Sequence, residues 1–133
     1  MQAEQLMIGD WVLDPFDEPT RISAIHNFDD VEINKDLDSN QYFAAAVIDL
    51  NPVPITGGIL ERNGFSQKPY GWRIDCDGII DYRIKVVKIT GGRIRMEIGE
   101  NNTNDFFISF VAEFVHELQH ALRLCGIKKD IVL

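Results

Sequence analysis

One stretch of this chain, His116-Glu117-Leu118-Gln119-His120, has residue types and a spacing that match a known catalytic pattern. Residues four apart on a helix point the same way. His116 and His120 are therefore candidates to hold one divalent metal, with Glu117 as the general base beside a metal-bound water, as in zinc hydrolases. Such a centre takes three protein ligands and leaves one position for water. Among residues 121–133, Asp130 is the sole carboxylate and Cys125 the sole sulfur, so Asp130 is the candidate third ligand, with His26 a distant one.

The element that must position these groups is read as one helix from Asn104 to Cys125. Thr103 or Asn104 supplies an N-cap, Asp105 meets the positive end of the helix dipole, and Gly126 suits the left-handed stop. At about 100° per residue, Phe107, Val111, Phe114, Val115, Leu118, Leu122 and Cys125 fall on one apolar stripe, with Phe110 and Ala121 on its flank. His116 and His120 lie about 150–165° away from that stripe, among Ser109, Glu113 and Arg123. They are predicted to face solvent without metal. A five-residue pattern with two free positions recurs by chance, so the expectation is no catalytic residue, metal or cofactor, with the zinc centre as the alternative.

Other chemistry is thinner. Asp36, Asp38 and Asn40 match the first ligand positions of a calcium loop, but Gln41 and Val47 stand where its glycine and final glutamate belong. Asp75, Asp77 and Asp81 fail similarly, and Gly57-Gly58 lacks the rest of a phosphate loop. His26 reads as a packed or exposed strand residue, and neither cysteine has a basic or helix-start setting. Arg83, Lys85, Arg93 and Arg95 share the outer face of a predicted hairpin and form a possible basic surface. Adjacent like charges need relief, so a phosphate partner is conceivable there. With no aromatic residue expected on that face for stacking, solvent and the acidic N-terminal half are the preferred relief.

The net charge of −8 is unevenly spread: residues 1–50 hold eleven acids and two bases, residues 68–95 seven bases and three acids. An acidic total disfavours nucleic acid and anionic membranes as main partners. A chain of 133 residues buries about two-thirds of its unfolded surface without staples. Two distant cysteines and no apolar leader or span suggest a reduced, cytoplasmic protein.

The expected fold class is α+β. Residues 1–50 read as short strands from Trp11, Arg21 to Phe28 and Val31 to Asn34, forming a small SH3-like or twisted sheet. Phe43 to Leu50 is an apolar run, read as a strand from about Ala46. Residues 51–65 form a proline-bounded linker and short helix, with Thr56 as cap and Gly64 as stop. Residues 66–133 hold a three-stranded meander covered by the long C-terminal helix. In it Tyr82, Ile84 and Val86 share a face, as do Ile94, Met96 and Ile98, and Val86-Val87 suggests a bulge. The whole is predicted to be a single domain.

Three blocks, LMIGDWV at 6–12, NPVPITGGILERNGF at 51–65 and FVHELQHALRLCGIKKDIVL at 114–133, resemble an uncharacterised family of small proteins of Bacteroides-type gut bacteria, their phages and mobile elements. That family carries an IGNWV-like start, a PIPLT..IL...GF-like middle and a VHELQNLYFALTG-like ending. The resemblance implies no activity. In the family the position of His120 is usually asparagine and that of Glu117 varies, which implies that the zinc pattern is local to this chain. The functional expectation is a non-enzymatic accessory module that binds another protein. The alternatives are a zinc hydrolase through HELQH and a weak nucleic-acid binder through the 83–95 hairpin.

Overall fold

A computed structural model describes residues 1–27, 29–34, 41–76, 82–101, 106 and 108–133. The chain is α+β, mostly strands in two five-stranded antiparallel sheets with two helices, and divides into two compact units. Unit 1 holds residues 1–54 and 114–130, and unit 2 holds residues 55–113 and 131–133. No helix among the described residues is long and apolar enough to cross a membrane.

In unit 1 the sheet runs β4-β3-β2-β1-β5, from β1 (Trp11–Leu13), β2 (Pro19–Ile25), β3 (Asp30–Asn34), β4 (Phe43–Ala46) and β5 (Asn51–Pro52). The hydrophobic alternation in Ile22, Val31 and Ile33 puts these side chains in a core with Leu6, Val12, Val47 and Leu50. The sheet is not a closed barrel. Helix α2 (Val115–Leu124) belongs to this unit. Its buried Val115, Leu118, Ala121 and Leu122 are the C-terminal part of the predicted stripe.

The predicted 104–125 helix is the main departure. It is half as long, because Ile108–Ala112 is instead strand β10, paired with β9 along its whole length. Val111 was placed on the core stripe but is 52% exposed, while Ala112 beside it is buried: a strand alternates every two residues, where a helix repeats every 3.6. β-branched and aromatic side chains in Ile-Ser-Phe-Val favour the pleated form once a partner strand is present. The expected start at Thr103 to Asp105, and Phe107, lie outside the described residues. The helix begins instead at Phe114, whose N–H donates to the Glu117 carboxylate at 3.1 Å.

Unit 2 is a five-stranded meander, ordered β10-β9-β8-β7-β6, where three strands were expected. Its strands are β6 (Ser66–Lys68), β7 (Gly71–Cys76), β8 (Tyr82–Lys88), β9 (Ile94–Glu100) and β10. Ile84, Val86, Ile94, Met96 and Ile98 are buried as predicted. Pairing runs unbroken through Val86 and Val87, so there is no bulge there. Helix α1 (Gly57–Arg62) is capped by the Thr56 hydroxyl, which accepts from Ile59 N–H at 3.2 Å, and the chain leaves it through Gly64 at φ +88°. Buried Asn63 donates to the carbonyls of Ile59 and Val132 and accepts from Val132 N–H at 2.9 Å, fixing the segment that buries Ile131.

Candidate functional site

The HELQH helix does not present its histidines to water. His116 is 6% exposed and the His120 side chain 25%, which corrects the expectation of a wet face. The reason lies opposite the helix, where the Gly9-Asp10-Trp11 turn gives its polar face partners. Asp10 is fully buried, and its Oδ2 accepts from Met7 N–H at 2.7 Å and from His120 Nε2 at 2.7 Å. Nε2 must carry the proton of that bond, because a carboxylate only accepts. Arg123 Nη1 donates to Oδ1 at 3.0 Å. Gln119 completes the junction, its Oε1 accepting from Trp11 N–H at 2.9 Å and its Nε2 donating to the Gly9 carbonyl at 3.0 Å.

The local sequence explains this geometry. Gly9 takes φ +91°, a region that favours glycine, and an added Cβ would lie 3.1 Å from the Arg123 guanidinium. Its N–H donates to the Ile22 carbonyl at 2.7 Å, and Ile22 N–H to the Asp10 carbonyl at 3.0 Å, so the turn is pinned to β2. A buried carboxylate costs free energy unless its oxygens are paired, and His120 and Arg123, three residues apart along α2, bring two donors to it from one helix face.

Glu117 accepts from the backbone at the helix start, His120 is bonded to Asp10, and Asp130 holds Arg21 in a two-pronged pair with both contacts at 3.1 Å. The His116 and His120 rings meet edge to face with centroids 5.7 Å apart, and Phe114 stacks on His116 at 6.0 Å. Among the described residues no group of three or more His, Cys, Asp or Glu is arranged to hold a metal ion. The fixed Arg123 cation beside Asp10 also opposes a second cation there. His26 pairs with Glu32 at 2.9 Å.

The Asp10–His120 pair has the form of the orienting half of a nucleophile triad, but among the described residues no hydroxyl or thiol is bonded to His120. Burial pushes the Cys125 thiol pKa up, away from nucleophile chemistry. His116 Nδ1 is buried without a hydrogen-bond partner. Burial lowers its pKa, with His120 adding to that effect, while Asp10 and Glu117 oppose it. The arrangement binds helix to turn and keeps His116 neutral near pH 7. Sequence spacing pointed at the right helix face; the missing signal was Asp10, hidden within a turn motif.

The possible basic surface also gains partners. Lys85 lies opposite Glu97 and 4.4 Å from the Tyr70 ring centre, Arg95 is 3.7 Å from Glu97, and Arg83 lies opposite Asp75. Acids therefore lie beside three of the four cations, and Tyr70 corrects the expectation that no aromatic ring is at hand. Arg93 sits elsewhere, beside a cleft of unit 2. Of the calcium-like sets, Asp36, Asp38, Asn40, Asp77 and Asp81 lie outside the described residues.

A feature that the sequence reading missed lies along β4. A cleft of about 530 Å³ runs beside Phe43, Ala44, Ala45 and Ala46, with Phe16 and Ile33 adding apolar surface and Asp14, Glu18 and Asp49 adding acid. Phe16 is 85% exposed and Phe43 62%. β4 is the end strand of its sheet. Its alternation can be read from the Val47 N–H bond to the Asp29 carbonyl at 2.8 Å: Ala45 lies in register with the inward bonds to β3, leaving the N–H and C=O of Ala44 on the outer side. The signal in the sequence was the run Phe43-Ala44-Ala45-Ala46, apolar yet too small in volume for a core strand. No family model, curated protein or solved structure matches this chain.

Proposed function

We propose that the chain is a protein-interaction module that takes up an extended segment of another polypeptide, one alternating basic and apolar residues, on the outer side of β4. The observation that carries this reading is an end strand with exposed aromatic side chains and an acid-lined cleft beside it. Natural sheets guard such edges with charge, proline or a covering element, and the Phe43–Ala46 strand has neither charge nor proline. An added strand gains backbone hydrogen bonds from the edge and specificity from side-chain pockets. Asp14, Glu18 and Asp49, in a half-chain with eleven acids and two bases over residues 1–50, make lysine or arginine the complementary residues.

The likeness of the three sequence blocks to the phage and mobile-element family supports a role as an accessory module of such a system, acting in the reducing cytoplasm. Two of those blocks supply the Gly9-Asp10-Trp11 turn and the Gln119-His120-Arg123 face. Motifs in that junction serve the scaffold and leave the edge free to bind.

The test uses two synthetic ten-residue peptides, valine alternating with lysine and valine alternating with glutamate, each titrated into the isotope-labelled protein. The lysine peptide is expected to bind in the micromolar range, shifting amides of β4 and losing affinity with salt. Ala44→Pro removes an outward donor while leaving the inward bonds, a substitution edge strands tolerate, and is expected to abolish binding. Glu18→Gln with Asp49→Asn should weaken it. Equal binding of the glutamate peptide, full binding by Ala44→Pro, or pairing of β4 with a second copy in place of the peptide would overturn the proposal.

A further inference from the structure

Unit 2 has a cleft of about 340 Å³ bordered by Leu60, Trp72 and Ile94 on its apolar side and by Lys88 and Arg93 on its polar side. No acid lines it among the described residues. That is unusual in a chain with 21 acids against 13 bases. The other cations of the hairpin each lie beside a carboxylate, whereas Lys88 and Arg93 face none among the described residues. Both are exposed, and Lys88 Nζ lies 4.7 Å from the Trp72 ring centre. Unit 2 therefore brings two cations to one opening with no described acid beside them.

Trp72, whose ring borders the cleft, also carries a buried N–H. It is 6% exposed, and its Nε1 is buried without an acceptor. The indole edge next to that nitrogen faces Gly57, where an added Cβ would come within 2.8 Å of Cζ2. Gly57 lines the same cleft, so its missing side chain lets the α1 start approach the ring and sets the width of that end.

We propose that this cleft binds a small anion with an apolar body, such as an aryl or short acyl carboxylate or phosphate. The apolar part rests against Leu60, Trp72 and Ile94, and the anionic head lies between Lys88 and Arg93. The volume is at the lower end of ligand sites, which run from about 300 to 1,000 Å³, so the ligand is a single ring or short chain. The charge sign follows from the two cations, and the size from the volume. Neither depends on the peptide-binding reading of β4, which concerns a different part of the chain.

The experiment follows the indole N–H resonances of Trp11 and Trp72, the two tryptophans of the chain, assigned with Trp11→Phe. Benzoate, phenyl phosphate and neutral benzyl alcohol are titrated into the intact protein. Benzoate or phenyl phosphate is expected to move the Trp72 signal saturably, with a dissociation constant of about 1 mM as suits so few atoms, while Trp11 stays still. The paired substitution Lys88→Gln, Arg93→Gln, on exposed side chains, is expected to weaken that binding about tenfold or more, the loss of a charge-assisted bond. Preference for phenyl phosphate or for benzoate tells which head group fits. Binding of benzyl alcohol as tight as benzoate, no saturable shift, or unchanged affinity in the doubly substituted protein would overturn the proposal.

Discussion

The Asp10 junction and the β4 edge belong to the same unit and treat polarity in opposite ways. Asp10 is fully buried with donors on both carboxylate oxygens. Along β4, the aromatic rings of Phe16 and Phe43 stand in solvent, and Ala44 keeps its outer backbone groups unpaired within the sheet. The first region uses charge to fix one arrangement, because a buried carboxylate has no low-energy alternative to its partners. The second leaves backbone groups and apolar surface unspent. Stability is concentrated in one place and binding capacity in the other, so substitutions should separate the two.

The largest effect is expected for Leu118→Ala, which empties a site only 1% exposed on the helix that carries the junction. It should cost about 2–5 kcal/mol in urea denaturation. Asp10→Ala comes next. It leaves His120, Arg123 and Met7 N–H without their acceptor, and with Arg123 partly exposed the loss should be about 2–3 kcal/mol. A loss below that of His120→Ala, expected at about 1 kcal/mol for a single hydrogen bond, would break the comparison by showing that the carboxylate is not the hub.

Protonation tests the same junction reversibly. The folded pKa of His116 lies below its ordinary value of 6.5 because of burial. In the window between the folded and the unfolded pKa the unfolded chain binds more protons. Its contribution to stability is complete above pH 6.5 and is lost as pH falls through that window. Replacing the ring by His116→Phe should flatten the stability profile there, and an unchanged slope would assign it to other groups. The smallest effect is expected at the edge: Phe16→Ser and Phe43→Ser should each change stability by no more than about 0.5 kcal/mol while weakening peptide capture. A loss comparable to Leu118→Ala would make Phe43 part of the core and remove the contrast.

What the sequence made legible follows from how local each signal is. Thr56 as cap, Gly64 as stop and the inward faces of β8 and β9 depend on neighbours within a few residues, and all three stand as read. The long helix failed at Ile108–Ala112 because those residues satisfy two periods over so short a run, and only a pairing with β9 decides between them. The histidines were misplaced for a related reason. Helical rotation tells which residues share a face, but the polarity of that face was set by Asp10, over a hundred positions earlier. At β4 the composition was readable as apolar, yet its exposure depends on sheet order, which no local pattern encodes.

The division of unit 1 into residues 1–54 and 114–130 has a consequence for the order of events during translation. The Trp11 N–H waits for Gln119, which is 108 positions away, and Asp10 waits as long for its cation. At about 5–20 residues per second, the first segment spends roughly 3–13 s outside the ribosome before the helix that completes it is made. Throughout that interval the five-stranded sheet stands without α2, and its apolar open edge is on display to every nearby chain. Contacts so distant in sequence also close slowly. Nascent molecules of this protein are therefore expected to need chaperone cover until the last turn of α2 emerges, and a circular permutant that places residues 114–130 ahead of Trp11 should mature faster.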